Sequence, residues 1–316
     1  RMSRLSISRT SVDIGAPRGH AGHWLLDPNN LSIVAGGGNQ RINAANPFVT
    51  TDDDAKLGVN LLNAQLTGGA TITVRTASAA TNAETGQITV AADIQPAGAA
   101  TLNLVAQGDI VFSGGKIVAG GGALNVNLLA GSDAAGANPG GSVSNITATG
   151  TGTLIDTNGG ALAATAKGTI SLGSVKSGAL TITSNGGGVV LPTGTAAGTL
   201  SVTTGGGAIT QASGGLSVTT GGATLNAGAG GITLDQANAI AGTVDLTGGA
   251  TRIDNTKTAS TTLTLGTLNT GDLCVNTGGG ALGLGGGRST GTCNVTSAGA
   301  AITQSGGVTV TGSATI

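Results

Sequence analysis

The feature that most constrains this chain is a short phrase that keeps returning between residues 180 and 316. An aliphatic residue, a small polar one and a second aliphatic residue lead into a glycine-rich turn. It reads Leu180-Thr181-Ile182, Leu200-Ser201-Val202, Leu216-Ser217-Val218, Ile232-Thr233-Leu234, Val244-Asp245-Leu246, Leu263-Thr264-Leu265, Leu273-Cys274-Val275, Cys293-Asn294-Val295 and Val308-Thr309-Val310. Period-two alternation cut by glycine marks short strands with one buried face. The same alternation runs earlier, in Val59-Asn60-Leu61, Ala70-Thr71-Ile72-Thr73-Val74, Ile88-Thr89-Val90, Leu102-Asn103-Leu104, Ile110-Val111-Phe112 and Val126-Asn127-Leu128. The interval between phrases is uneven: Leu263 to Leu273 is the shortest step, and Leu180 to Leu200 and Leu273 to Cys293 are twice as long. Such loose spacing predicts a solenoid whose coils differ in corner length, each strand pairing with its equivalents one coil above and below at about 4.8 Å. The expected fold is therefore all-β, a single right-handed parallel β-helix, with the handedness taken from the general preference of parallel crossovers.

Composition narrows the choice. Glycine makes up 60 of 316 residues, yet there are only six prolines and no Gly-X-Y period, which excludes a collagen-like chain. Recurrent strand phrases exclude a disordered one. A β-sandwich would fill its core with large residues, whereas this chain has one Trp, two Phe and no Tyr. A thin tube has room for ranked aliphatics and little else. Solenoids grow by stacking, so residues 1–316 are read as one continuous β-helix of about 14 to 16 coils, on the order of 70 Å long. Two stretches read as loop excursions: 34–58, with Asn46-Pro47 as a breaker and a helical turn expected around Asp54 to Leu57, and 131–142. A net charge of −1 gives no electrostatic case for nucleic acid. No apolar run reaches the roughly 18 residues of a membrane span.

Before the repeats, Leu5-Ser6-Ile7-Ser8 and Val12-Asp13-Ile14 read as two further strands. They lead into Ala16-Pro17-Arg18-Gly19, then Trp24-Leu25-Leu26-Asp27-Pro28 and Leu31-Ser32-Ile33. This run resembles a segment of very large secreted proteins of the filamentous haemagglutinin type. The phrase Ala208-Ile209-Thr210-Gln211 with Leu216-Ser217-Val218-Thr219 and Ala223-Thr224-Leu225 is similar to the repeat region of such adhesins. It returns farther on as Ala301-Ile302-Thr303-Gln304, Val308-Thr309-Val310-Thr311 and Ala314-Thr315-Ile316. The resemblance implies an internal β-helix segment of a longer two-partner-secretion exoprotein, secreted to the cell surface of a diderm bacterium by an outer-membrane transporter. It implies a non-enzymatic stalk or filament with no cofactor, meeting host or neighbouring-cell surfaces and glycans, or self-associating into filaments or biofilm fibres. Two alternatives stay open: the stalk of a contact-dependent toxin-delivery exoprotein, and a carbohydrate-active β-helix enzyme.

Few residues carry candidate chemistry. Cys274 and Cys293 are separated by about one coil, so an inter-coil disulfide is expected, against two free thiols as the alternative. Asp52, Asp53 and Asp54 form the acidic cluster, a surface contact that could also hold Ca²⁺ or serve a polysaccharide-cleaving cleft; a solvated loop is the default. His20 and His23 have the spacing to share a metal but lack further ligands nearby, so packing under Trp24 is expected instead. Thr181, Thr183, Thr203, Thr219, Thr233, Thr247, Thr264 and Thr309 flank inward aliphatics and should face outward, where they could meet ice, sugar hydroxyls or a second tube. Asn145-Ile146-Thr147 and Asn294-Val295-Thr296 match the N-glycosylation pattern, which is uninformative given the bacterial origin that the resemblance implies.

Overall fold

The computed structural model describes residues 29–77, 84–132, 143–150, 152–257 and 262–316. These residues form a β-solenoid whose strands pair in parallel from coil to coil. One column of paired positions counts the turns. Leu31 pairs with Ile88, and the column continues through Ile110, Ile146, Ile170, Val189, Ile209, Ile232, Thr251, Leu273, Cys293 and Ala314. That makes about twelve turns among the described residues, fewer than expected. The expectation covered all of residues 1–316, and within the described residues the passages from Leu31 to Ile88 and from Ile110 to Ile146 are both far longer than an ordinary coil such as Val189 to Ile209.

From Ile170 to Ala314 the column advances in nearly equal steps, far more evenly than the phrases in the sequence. The phrases looked irregular because they sample different faces of one tube. Ile232–Leu234 lies on the first face, in the thirteen-stranded sheet. Ser217–Val218 lies on the second and Thr243–Gly248 on the third. The second and third faces join in one seventeen-stranded sheet, because Ser174–Ser184 and Thr193–Thr204 run through the corner between them without a break.

Alternation decides what lies inside. Ala100–Ala106 and Leu124–Ala130 bury every second residue, and inward columns such as Ile72, Leu102, Val126, Leu162, Leu180 and Leu200 stack in register. All six are essentially inaccessible to solvent, and each contributes about 1.5–3 kcal/mol of transfer free energy. The only aromatic rings buried among the described residues, Phe48 and Phe112, lie in the same continuous core.

Corners use a recurring hydroxyl turn. Thr157 Oγ1 donates to the Gly160 carbonyl at 2.6 Å, Ser184 Oγ to Gly187 at 2.8 Å and Ser297 Oγ to Ala300 at 2.6 Å; Thr204 and Thr277 do the same to Gly207 and Gly280. In each case a buried Ser or Thr satisfies a carbonyl a short way along the chain, where the strand ladder is interrupted. Three of these turns place two left-handed residues in succession: Asn158–Gly159, Gly278–Gly279 and Ala298–Gly299. Elsewhere the corner is made by missing side chains. A Cβ on Gly178 would lie 2.2 Å from the Gly159 oxygen, and one on Gly198 would lie 2.2 Å from the Gly178 oxygen. Only glycine lets the long strands bend there.

The expected excursion at 34–58 contains two strands, Phe48–Val49 and Ala55–Gly58, and antiparallel bridges join Gln40 to Lys56 and Ile42 to Thr50. The helical turn expected at Asp54 to Leu57 is instead strand, and Val59-Asn60-Leu61, expected as strand, opens the helix Val59–Thr67. The adjacent pair Leu61-Leu62 breaks period two, while Val59, Leu62 and Leu66 recur near helical spacing and are the residues the helix buries. Of the stretch 131–142, only Gly131 and Ser132 fall within the described residues.

Two kinds of substitution test the corners by thermal or denaturant unfolding. Gly178→Ala should cost about 2–3 kcal/mol, because the new methyl meets backbone that cannot give way. Gly307→Ala, with open space around its Cβ, should be nearly neutral by comparison. Ala298→Gly should gain about 0.5–1 kcal/mol, since Ala298 holds a φ of 50° that costs a residue with a Cβ more than the entropy glycine adds.

Candidate functional site

The outer side of the third face presents a continuous surface of stacked strands. From Ala100–Ala106 to Ala223–Asn226, the third-face parts of six successive strands present Thr, Asn, Ser, Ala, Val and Leu outward and no charged residue. Arg75 stands before this stretch and Asp245 after it. Period-two alternation puts Thr181, Thr183 and Thr203 here, with Ser201 beside them, all exposed or half-exposed as expected. Thr219, Thr233, Thr247, Thr264 and Thr309 also point outward, but on other faces or farther along the tube. The result is a grid of mostly hydroxyl and amide side chains interspersed with aliphatic ones, about 4.8 Å apart along the axis and about 6.8 Å apart across it. Part of the grid bonds to itself: Asn103 Nδ2 donates to Thr73 Oγ1 at 3.1 Å and Asn127 Nδ2 to Asn103 Oδ1 at 2.7 Å. Such a surface can hydrogen-bond to another repetitive surface.

The acidic stretch is organised differently from a ligand site. Asp52 Oδ1 accepts from the Asp53 amide at 3.0 Å, Arg41 Nη1 donates to the Asp53 carbonyl at 2.8 Å, and the Asp54 amide donates to Glu84 Oε1 at 3.0 Å. Glu84 Oε2 also accepts from the Asn30 amide at 2.8 Å, so one carboxylate ties this loop to the start of the first coil. Nothing around Glu84 in the sequence signals that role. Among the described residues, no group of three His, Cys, Asp or Glu side chains could hold a metal ion. His20, His23 and Trp24 lie outside the described residues, as do the two expected strands at 5–8 and 12–14.

Cys274 and Cys293 are both free thiols, which corrects the expected disulfide. The coil-to-coil register explains why. Leu273 pairs with Cys293 and Cys274 with Asn294, so the two cysteines are offset by one position and their side chains leave the sheet on opposite sides. Cys293 is buried in the core, and burial raises its thiol pKa above the usual value. Cys274 is half-exposed, with Arg252 Nη1 at 3.7 Å from its sulfur.

Polar side chains stitch the coils together on the outside. The Thr292 amide and hydroxyl reach Asp272 Oδ1 at 2.7 and 2.9 Å, and these bonds hold the exposed Asp272 carboxyl below the usual range. Lys176 reaches Asp156 in the preceding coil at 3.1 Å. At one corner the fully buried Asn238 accepts from the Leu216 amide at 2.8 Å and donates to the Gln236 and Asp254 carbonyls at 2.6 and 2.8 Å. Sequence reasoning missed Asn238, because an asparagine between strand phrases reads as a solvated loop residue.

Residues 177–247 and 270–316 match a family described as repeats of unknown function (DUF5649). No curated protein and no solved structure matches the chain. The matched segments fall on the most evenly repeating coils, consistent with a repeat β-helix protein.

Thiol labelling reads the register directly. In the native protein a maleimide should modify Cys274 and spare Cys293, and unfolding without reductant should release one further reactive thiol. The sign for Asp272 follows from its lowered pKa. Its bonds to Thr292 stabilise above the unfolded carboxyl pKa and are lost as pH falls through the folded value. The protection factor of the Thr292 amide, its exchange rate compared with the intrinsic rate at the same pH, should therefore fall on acidification in the wild type and show no such acid step in Asp272→Ala.

Proposed function

We propose that this chain is a non-enzymatic stalk segment of a large secreted bacterial surface adhesin. It holds a binding surface away from the cell and packs against neighbouring tubes or glycans through the uncharged stretch of its third face. The observation that carries this reading is the parallel pairing that runs from Leu31 to Ala314, which makes about twelve turns one mechanical unit. Load applied along the axis is shared by ladders on three faces. A rod built this way gains about 4.8 Å of length for each coil and needs no compact core to grow. The Thr and Asn grid of the third face suits contact with hydroxyl-rich polymers or with a second tube, since neither side must desolvate a charge. The resemblance to filamentous haemagglutinin-type proteins supplies the expected setting: export through an outer-membrane transporter and display outside a diderm cell.

Electron microscopy of the native secreted polypeptide tests the reading first. Thin rods lengthening by about 4.8 Å for each coil are expected, and compact globules would overturn it. Deleting the gene should reduce attachment of the cells to surfaces or to each other. Unchanged attachment with rods present would retain the stalk and remove the adhesin.

A further inference from the structure

A parallel solenoid exposes a row of unpaired backbone groups at each end, and every one of them can template another strand. At the end that carries residue 31, the described residues engage such groups on every face. On the first face the outermost strand is Ala55–Gly58, which pairs with Leu31–Val34 on its inner edge. On its outer edge the Lys56 amide donates to the Gln40 carbonyl at 2.8 Å, and the Lys56 carbonyl accepts from the Gln40 amide at 2.9 Å. The Gly58 amide donates to Asn39 Oδ1 at 2.8 Å, and the Asp54 amide is held by Glu84.

The other two faces are closed by different residues in the same way. On the third face, the outward amide of Thr73 donates to Asn46 Oδ1 at 2.9 Å and the Thr71 carbonyl accepts from Asn46 Nδ2 at 2.8 Å. A single asparagine amide thus imitates the strand that would come next. On the second face, the Gln95 amide donates to Asn63 Oδ1 at 2.8 Å and the Ala97 amide to Thr67 Oγ1 at 3.1 Å. Both acceptors stand on the helix Val59–Thr67, whose Leu62 and Leu66 are fully buried against the core.

The other end is built otherwise. The Ala301, Gly307 and Ser313 carbonyls accept from the preceding coil, so the next residue in each strand, Ile302, Val308 and Ala314, turns its amide to the outer edge. Nothing among the described residues covers those amides, and Ile302, Val308 and Val310 are only partly buried.

We propose that residues 35–67 are an end stop. They terminate strand pairing on all three faces, so this end of the rod accepts neither a further coil nor the edge of a second copy. The stop works by substituting the Gln40 backbone and fixed polar side chains for a neighbouring strand, with the helix as a lid on the apolar core.

Hydrogen exchange on the full chain decides it. In the wild type, the outer-edge amides of Lys56, Gly58, Thr73, Gln95 and Ala97 should exchange roughly 100-fold or more slowly than those of Ile302, Val308 and Ala314. The combined variant Asn46→Ala, Asn63→Ala, Thr67→Val should bring Thr73, Gln95 and Ala97 up to the rate of the far edge while leaving the interior Ile170 amide unchanged. The same variant should sediment as larger, concentration-dependent species than the wild type. Equal exchange at the two ends of the wild type would overturn the proposal even if the variant unfolds. A folded variant whose three amides stay slow would overturn it too, and an unchanged sedimentation profile would overturn the role in keeping copies apart.

Discussion

Everything in this molecule depends on coil-to-coil backbone pairing at fixed register. A parallel ladder aligns equivalent residues from turn to turn, so an inward aliphatic in one coil lies over an inward aliphatic in the next, and an outward threonine over another outward polar group. The side-chain period of two makes this unforgiving: a slip by one residue would turn a whole column inside out. The columns through Leu31 and through Ile72 show the consequence, since both stay apolar from coil to coil over long stretches although no two coils share a sequence. Packing against the neighbours in the column chooses the register, and the register in turn builds the continuous core.

The corners are where this order would fail first, because there the backbone leaves the ladder. Two devices deal with it. Where the chain turns sharply, a buried Ser or Thr supplies the hydrogen bond the ladder no longer makes, as Thr157 does for Gly160. Where the chain bends within one long strand, as at Gly178 and Gly198, successive coils approach so closely that no Cβ fits. The abundant glycine is therefore chiefly a property of the corners, while the strands themselves are mostly Val, Ile, Leu, Thr and Ala. A chain with few charges and almost no aromatic residues reaches stability through many small contributions along one continuous aliphatic core.

How much of this the sequence reveals differs by level. The fold class was legible, because period-two phrases such as Leu180-Thr181-Ile182 state both the strand and its buried face. The coil length was only partly legible. Phrases from three faces interleave along the chain, so Leu216, Ile232 and Val244 look like successive repeats although they belong to different columns. Spacing alone also misled at Cys274 and Cys293: their separation approximates one coil, but pairing sets Cys293 opposite Leu273, and that single-position offset sends the thiols to opposite sides. The helix at Val59 was hidden because its opening Val59-Asn60-Leu61 also fits a strand, and Leu62 and Leu66 settle the matter only when read together with Val59. The bonds of Glu84, Asn46 and Asn238 could not be read at all, since each joins residues that become neighbours only when the coils stack.

The same physics gives interior and terminal coils different requirements. An interior coil obtains hydrogen-bond partners above and below from its neighbours, so its sequence can vary freely as long as the alternation holds, and the looseness of the repeats reflects that freedom. A terminal edge has a neighbour on one side only, and must find other partners or remain a template. Residues 35–67 meet that requirement with the Gln40 backbone and with the Asn39, Asn46, Asn63 and Thr67 side chains, which no repeat pattern could supply. This is why the least repetitive stretch among the described residues lies at one end of the solenoid. A loop inserted in mid-rod would have no unpaired ladder to satisfy, whereas at the end an irregular sequence is the only kind that can close three different edges at once.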